Sequence, residues 1–417
     1  GAGAKQGAFA AEPVLAASSP IRLLHSADWQ IGKPYARVLD PDKRARLRQV
    51  RLEAIGRLAD HARQQAVQLV VVAGDLFDSP TPSSSDVSSV CAAIGSIPCP
   101  VLVIPGNHDH GAPGTVWHSS FFQAEQGRRA PNLQVLLERK VVELDALMVL
   151  PCPLLRRSDS VDPCNWLNQV DWDGLPAGKP RLVLAHGSVH GFGAEDLDAP
   201  RTANNPASAN NRLRLDGAWL GAVDYIALGD WHGLKKVSAK AWYCGTLEPD
   251  RFPRSPDYQA GQVLQVELRR GEPPKLQPLA TGGLGWHPLH FSFQADSDLD
   301  RLEEQLEGLL AGRTGADLLL LEVSGSLSLA GHRSYEGLLE RLEAQLLRLK
   351  LRGRCDAAPG SDELAQLTQR PGDPLIAQVA THLAAMLQNS YPDPAIARLA
   401  LSELYRAVQL ADASAAP

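Results

Sequence analysis

Five short segments of this 417-residue chain set acidic, amide or imidazole side chains directly after apolar runs. They supply Asp28 and Gln30 (HSADWQIG), Asp75 (AGDLFD), Asn107 and His108 (PGNHDH), His186 (AHG), and Asp230 and His232 (LGDWHG). Such groups are costly to bury unless something neutralises them. A pair of divalent cations does so most simply. Two cations about 4 Å apart also supply an activated water and neutralise phosphoryl oxygens, which is what phosphoester hydrolysis at neutral pH requires. Asp75 has the position of a carboxylate bridging both ions; Asp28 would anchor one and Asn107 the other, because carboxylate and amide oxygens suit hard cations. His186 and His232 would add nitrogen ligands, which admits manganese, iron or zinc beside magnesium. His108, directly after a ligand, is placed to act as general acid or to stabilise transition-state charge.

The elements that must position these groups are legible in the runs before them. Ile21 to Ala27, Val67 to Ala73, Val101 to Ile104, Leu182 to Ala185 and Tyr225 to Leu228 are near-continuous apolar stretches bounded by Gly, Pro or polar residues. Such stretches suit strands covered on both faces, and open α/β sheets place their sites at the carboxyl ends of parallel strands. Residues 41–65 carry Leu47, Val50, Ala54 and Leu58 at steps of three or four and predict a helix. Strand, helix, strand is then the repeating unit, and the fold class is α/β.

A chain this long exceeds one ordinary core and is expected to form two or three domains. Residues 1–20, rich in Ala, Gly and Ser and without Met, read as a flexible lead-in with an artificial start. The α/β pattern holds over 21–281, interrupted by an Asn- and Ala-rich loop, Asp196 to Asn211, long enough to be functional or mobile. Residues 282–358 give a βαβαβ block: strands at His287 to Phe293, Asp317 to Val323 and Leu349 to Asp356, helices at Asp298 to Leu310 and Ser334 to Leu347. Residues 359–417 carry helices at Asp362 to Gln369, Pro374 to Gln388 and Pro394 to Leu410; the last two either pack as a hairpin on the body or dock on another protein. A net charge of −6 leaves nucleic-acid contact to local patches. The six cysteines form no CxxC pair and read as reduced thiols, in preference to a Cys152–Cys164 disulfide. No run of about 18 apolar residues could span a membrane, and a cytoplasmic protein is expected.

GDLFD, PGNHD, the strand-terminal His of AHG, and ALGDWHG, in this order and spacing, resemble the calcineurin-like metallophosphoesterase superfamily, and within it the SbcD-type DNA repair exonucleases that work with an SbcC-type ATPase. The resemblance covers Ile21 to about Phe252, and the βαβαβ block is similar to the capping domain of that family. It implies a four-layered α/β/β/α metallophosphoesterase sandwich with a small capping domain and a helical C-terminal segment. It also implies a metal-dependent DNA nuclease, exonuclease and/or endonuclease, using two divalent cations, manganese first and magnesium second. DNA, an SbcC-like ATPase and a second copy of the chain are the partners implied. In family terms one metal is held by Asp28, Gln30, Asp75 and His232, the other by Asp75, Asn107, His186 and Asp230. Most members have Asp-x-His where this chain has Asp28-Trp29-Gln30, and Gly-His-x-His where it has Gly229-Asp230-Trp231-His232. Each site thus exchanges an imidazole for an oxygen donor, which predicts a preference for manganese or magnesium over zinc, with the first site the looser one.

The remaining polar residues carry plainer expectations. His25 reads as a hydrogen-bonded structural histidine, Asp78 as a cap for the following loop or helix, and Asp109 as a group orienting its neighbours. His110 and His190 are expected outside direct coordination; Trp29 and Trp231 read as core packing before base stacking. From Lys33 to Arg57 eight cations, among them Lys33, Arg37, Arg44, Arg48 and Arg51, face only Asp40, Asp42 and Glu53. With Arg156, Arg157, Lys235 and Lys236 they are candidates for phosphate contacts, the other reading being a solvated, ion-paired helix face. Two further function classes stay open: a small-molecule phosphodiesterase or phosphatase, and a regulatory subunit with a weakened metal site.

Overall fold

The structure, a computed structural model, describes residues 19–189, 210–313, 315–388 and 393–416. The lead-in up to residue 18, His190 and most of the 196–211 loop lie outside the described residues. In chain order the elements begin β1 (Ile21–Ser26), α1 (Pro41–Gln64), β2 (Leu69–Ala73), α2 (Ser84–Gly95), β3 (Val101–Ile104), α3 (Ser120–Arg129) and β4 (Leu133–Val135). Asp40 fixes the start of α1, its carboxylate accepting from the amides of Asp42 and Lys43, with Pro41 in the first turn. There follow β5 (Val142–Glu143), β6 (Met148–Cys152), β7 (Arg181–His186), β8 (Ser188–Val189), β9 (Arg212–Leu213), β10 (Tyr225–Gly229), β11 (Lys235–Lys236), β12 (Ala241–Tyr243), β13 (Gln262–Leu268) and β14 (Lys275–Ala280).

Two six-stranded sheets result, in the orders β14-β13-β1-β2-β3-β4 and β11-β12-β10-β7-β6-β5. β1 to β4 pair in parallel, as do β6, β7, β10 and β12. The sheets pack face to face: Leu23, Val71 and Leu102 of the first meet Val149, Leu184 and Ala227 of the second in one apolar cluster. Residues one step along the same strands, Leu24, Val70 and Val103, face α1 and α2. Both faces being covered, β2 and β3 are apolar throughout. The strand-helix-strand repeat holds only in the first half. Among the described residues the second sheet is covered by short 3-10 turns, Asn165–Gln169 and Ala218–Ala222, which bring Leu167 and Trp219 onto it.

A third sheet comprises β15 (Gly285–Phe293), β16 (Asp317–Leu327), β17 (Arg348–Gly353) and β18 (Asp356–Ala357), all parallel, with α4 (Asp298–Leu310) and α5 (Leu329–Gln345) as crossovers. α5 begins five residues before the sequence pattern predicts because Ser328 caps it, accepting from the Gly331 amide. The strand predicted over 349–356 is two short ones, broken after Gly353, whose φ is +70°. Leu319 and Leu321 face α4 and α5. Leu318 and Leu320 face the other way and pack with Tyr35, Val38, Leu47 and Phe252, fastening this sheet to the first half. The chain closes with α6 (Ser361–Thr368), α7 (Pro374–Gln388) and α8 (Pro394–Ser414). These helices pack on one another and on Leu329 and Ala357 through Leu367, Ala380, Leu401 and Val408. All six cysteines are buried free thiols, and no helix among the described residues is long and apolar enough to cross a membrane.

Candidate metal centre

Each of the five segments lies at or just past the carboxyl end of a parallel strand, and most turn there through unusual backbone. Asp28, Gln30, Asp75 and Asp230 have φ of 53°, 44°, 57° and 114°, a region L-residues seldom occupy and one that clusters at functional sites. The Asp28 amide donates to the Gly74 carbonyl at 3.0 Å and the Gln30 amide to Asp75 at 2.9 Å, so the first two segments brace each other. Glycines leave the necessary space. A Cβ on Gly74 would fall 2.2 Å from His186 Nδ1, and one on Gly106 would fall 2.2 Å from Asp75 Oδ1.

The side chains gather into two adjoining groups. In one, His186 Nε2 lies 2.9 Å from Asn107 Oδ1, 3.4 Å from Asp75 Oδ2 and 3.8 Å from Asp230 Oδ1. Its Nδ1 donates to the Ala73 carbonyl at 2.8 Å, which turns Nε2 toward the carboxylates. In the other, His232 Nε2 lies 3.8 Å from Asp28 Oδ1 and 3.4 Å from the Gln30 amide nitrogen. Ligand atoms of Asp28, Asp75 and His186 all fall within 4.8 Å of one another, joining the groups. Asp28 is fully buried; its Oδ2 accepts from the Asp230 amide at 2.9 Å while its Oδ1 has no hydrogen-bond partner.

The electrostatics are those of crowded, buried charge. Burial pushes the Asp28 carboxyl well above the usual range, with His186 opposing it. Burial also favours protonation of Asp75, but His186 beside it, and then His108, hold that carboxyl below its ordinary value. His186 rises well above an ordinary imidazole because Asp75 and the other carboxylates outweigh the opposing effect of burial. His232 goes down to about 4 through burial, although Asp250 favours its charged form.

Around these groups the expectations are met unevenly. His108 is half-buried; its amide donates to Asp75 Oδ1 at 2.9 Å, and its Nδ1 lies 2.9 Å from the Asp78 carbonyl and 3.9 Å from the Asp78 carboxylate. Asp78 therefore holds His108; the helix that follows is capped by Ser83, whose side chain accepts from the Asp86 amide. Asp109 ties two segments together, accepting from the amides of Gly106, Asp75 and Phe77. Burial, with the charge of Asp75, pushes it up to about 7. His25 is structural, contacting Tyr225 Oη at 2.7 Å and the Leu228 carbonyl at 3.0 Å. Trp29 is fully buried with its Nε1 on Ser26 Oγ, whereas Trp231 is only partly covered.

The basic stretch of α1 is not one open face. Arg51 is 1% exposed and donates to Tyr35 Oη, the Trp29 carbonyl, Thr246 Oγ1 and the Glu248 carbonyl, so it is a core strut and not a phosphate contact. Arg57 lies 3.5 Å from Glu248, Arg48 3.4 Å from Asp86 and Lys33 3.4 Å from Asp250. Arg44 is half-buried on α1, and Arg156 and Arg157 are exposed beyond β6. Lys33 and Arg37 line a groove with Asp78, Arg251 and Arg348, where the first half meets the third sheet. Asp250, Arg251 and Tyr258 were missed in the sequence. They follow β12 without a motif, and only folding sets them beside His232.

Comparisons with known proteins agree with this geometry. The calcineurin-like phosphoesterase family matches residues 21–259. The DNA double-strand break repair protein Mre11 of Methanosarcina acetivorans is 27% identical over 266 residues, 60% of this chain and 38% of that protein. The SbcD component of the SbcCD nuclease of Staphylococcus epidermidis is 23% identical over 269 residues, 59% of this chain and 66% of that protein. This chain thus spans less than two thirds of either relative. The crystal structure of TT1561 of Thermus thermophilus overlaps 63% of this chain at 11% identity with a TM-score of 0.37, too low to support any argument. With the family match extending over more than half of the sequence, the chain belongs to the calcineurin-like phosphoesterases.

Proposed function

We propose that this chain is a metal-dependent DNA nuclease that hydrolyses phosphodiester bonds at a two-cation centre in DNA repair. The observation that carries the reading is the convergence of Asp28, Asp75 and His186, with ligand atoms within 4.8 Å of one another. The residues fit hard divalent cations: Asp28 Oδ1 is buried without a partner, and buried carboxylates stay ionised only beside a compensating charge. Asp28, Gln30, Asp75 and His232 would hold one cation, and Asp75, Asn107, His186 and Asp230 the other, with manganese or magnesium favoured by the oxygen donors. Such cations supply an activated nucleophile and neutralise phosphoryl charge.

The chain's own groups do the rest. The Ala73 carbonyl and the Asp250 carboxylate fix the ring orientations of His186 and His232. His108, held through Nδ1 by the Asp78 carbonyl, keeps Nε2 for proton donation to the leaving oxygen or for stabilising charge on the phosphoryl group. DNA as the substrate is supported by the name of the Mre11 relative and by the groove carrying Lys33, Arg37, Arg251 and Arg348, and nuclease action by the name of the second relative. An ATPase partner is supported by the apolar residues that α7 and α8 leave exposed, Leu375, Ile396 and Leu399 among them. Co-purification with and without residues 362–417 tests that partner, and sedimentation of the full chain tests the homodimer.

The deciding experiment incubates the protein with manganese and labelled single- and double-stranded DNA, beside a generic phosphodiester and an Asp75→Ala control. Manganese-dependent DNA cleavage absent from the control is the expected result. Cleavage of the small ester alone would move the activity to small-molecule phosphodiesters, and no cleavage of either would leave a regulatory subunit.

A further inference from the structure

His232 belongs to the candidate metal centre and also forms part of the wall of a separate cavity of about 230 Å³. The rest of that wall includes two aromatic rings, Trp231 and Tyr258, and three cations, Lys235, Arg251 and Arg254, against one carboxylate, Asp257. The rings lie 6.4 Å apart at 73°. The space near them exists because position 233 is glycine: a Cβ there would fall 2.8 Å from the Tyr258 ring and 3.0 Å from Trp231 Nε1. The Tyr258 hydroxyl is buried and has no hydrogen-bond partner.

A flat ring joined to an anion matches two aromatic side chains beside several cations. We propose that the cavity is a nucleotide subsite that takes the base next to the scissile phosphate of a DNA strand. The base lies against the rings of Tyr258 and Trp231, and Lys235 and Arg254 face the adjoining phosphate. The proposal rests on the nuclease reading above and adds what that reading lacks, a place for one particular base. Stacking on aromatic side chains tolerates every base because each has a π-face, so the subsite gives position without sequence preference.

The test measures binding of labelled single strands of six nucleotides by fluorescence anisotropy, using the full chain with calcium in place of the catalytic cation. One abasic position is walked along the strand. The expected result is a loss of about tenfold or more at one position and of less than about threefold at the others. Tyr258→Ala should erase the position-specific loss and Tyr258→Phe should keep most of it, both variants being checked for an unchanged melting temperature. Arg254→Ala, an exposed site, provides a variant whose folding is not at risk; it should weaken every strand alike and lower the salt slope by about one. Equal losses at all positions, a position-specific loss that survives Tyr258→Ala in the folded variant, or no effect of Arg254→Ala would overturn the assignment. Competition by a deoxynucleoside monophosphate as strong as that of the strand would also overturn it, placing a free nucleotide there instead. Manganese-dependent cleavage is followed in parallel. Position-specific binding without cleavage would retain the subsite and sink the nuclease reading, whereas cleavage with uniform losses would sink the subsite alone.

Discussion

Asp250 Oδ2 lies 2.7 Å from His232 Nδ1, and the Asp250 carboxylate is completely shielded from solvent. Burial alone would raise the Asp250 carboxyl, yet Arg251, His232 and Lys33 together hold it well below the ordinary range. It is therefore a fixed negative charge that, with Arg251 Nη2 2.8 Å from the same ring nitrogen, holds the imidazole with Nε2 toward Asp28. Carboxylates behind metal-bound histidines typically contribute 10- to 100-fold in affinity, so Asp250→Ala should weaken manganese binding by about that factor. Calorimetric titration of the folded variant measures it, and an unchanged affinity would remove the orienting role.

The Gln30 amide nitrogen lies 3.4 Å from His232 Nε2, and in the proposed centre Gln30 would offer an amide oxygen to the cation shared with His232. Gln30→His should therefore raise zinc affinity relative to manganese by about tenfold, since nitrogen donors favour the later transition metals. Competition between the two ions for the variant and the parent protein reads this directly; an unaltered ratio would show that residue 30 does not coordinate.

Arg51 joins α1 to the first segment and to Thr246 and Glu248 through four hydrogen bonds at 2.7–3.1 Å. Arg51→Leu would leave buried acceptors unpaired and should destabilise the protein by roughly 3–5 kcal/mol. Urea denaturation gives the value, and a loss under about 1 kcal/mol would mean that water or a neighbour replaces the guanidinium.

His25 connects the two sheets, with Nε2 donating to the Leu228 carbonyl and Nδ1 accepting from Tyr225. Burial lowers this imidazole to about 3 from 6.5. The unfolded chain then binds a proton that the folded chain refuses, so the contribution is full above about pH 6.5 and is lost as pH falls toward 3, at about 1.4 kcal/mol per pH unit. In chelator, the stability gap between the parent protein and His25→Gln should narrow by about 1 kcal/mol from pH 7.5 to 5.5. A gap independent of pH would contradict a neutral, buried His25.

β1, β2, β3, β7 and β10, the helix starting at Pro41 and the five site-bearing segments were legible in the sequence, because they depend on local pattern, whereas β4, β13 and β14 were not read from it. Apolar runs of four to seven residues mark doubly covered strands, and polar groups at their carboxyl ends mark where a parallel sheet opens. Beyond β5 the repeat was misread, since short turns cover the second sheet and leave no helical period to detect. Only the tertiary structure decided which cations face a groove and which serve the core. Arg51 and Arg48 are three residues apart on one helix, yet one is sealed beneath Trp29 and the other reaches Asp86 at the surface. It alone also set Asp250 and Tyr258 beside His232, since burial and juxtaposition across many residues depend on how the sheets pack and leave no trace in local spacing.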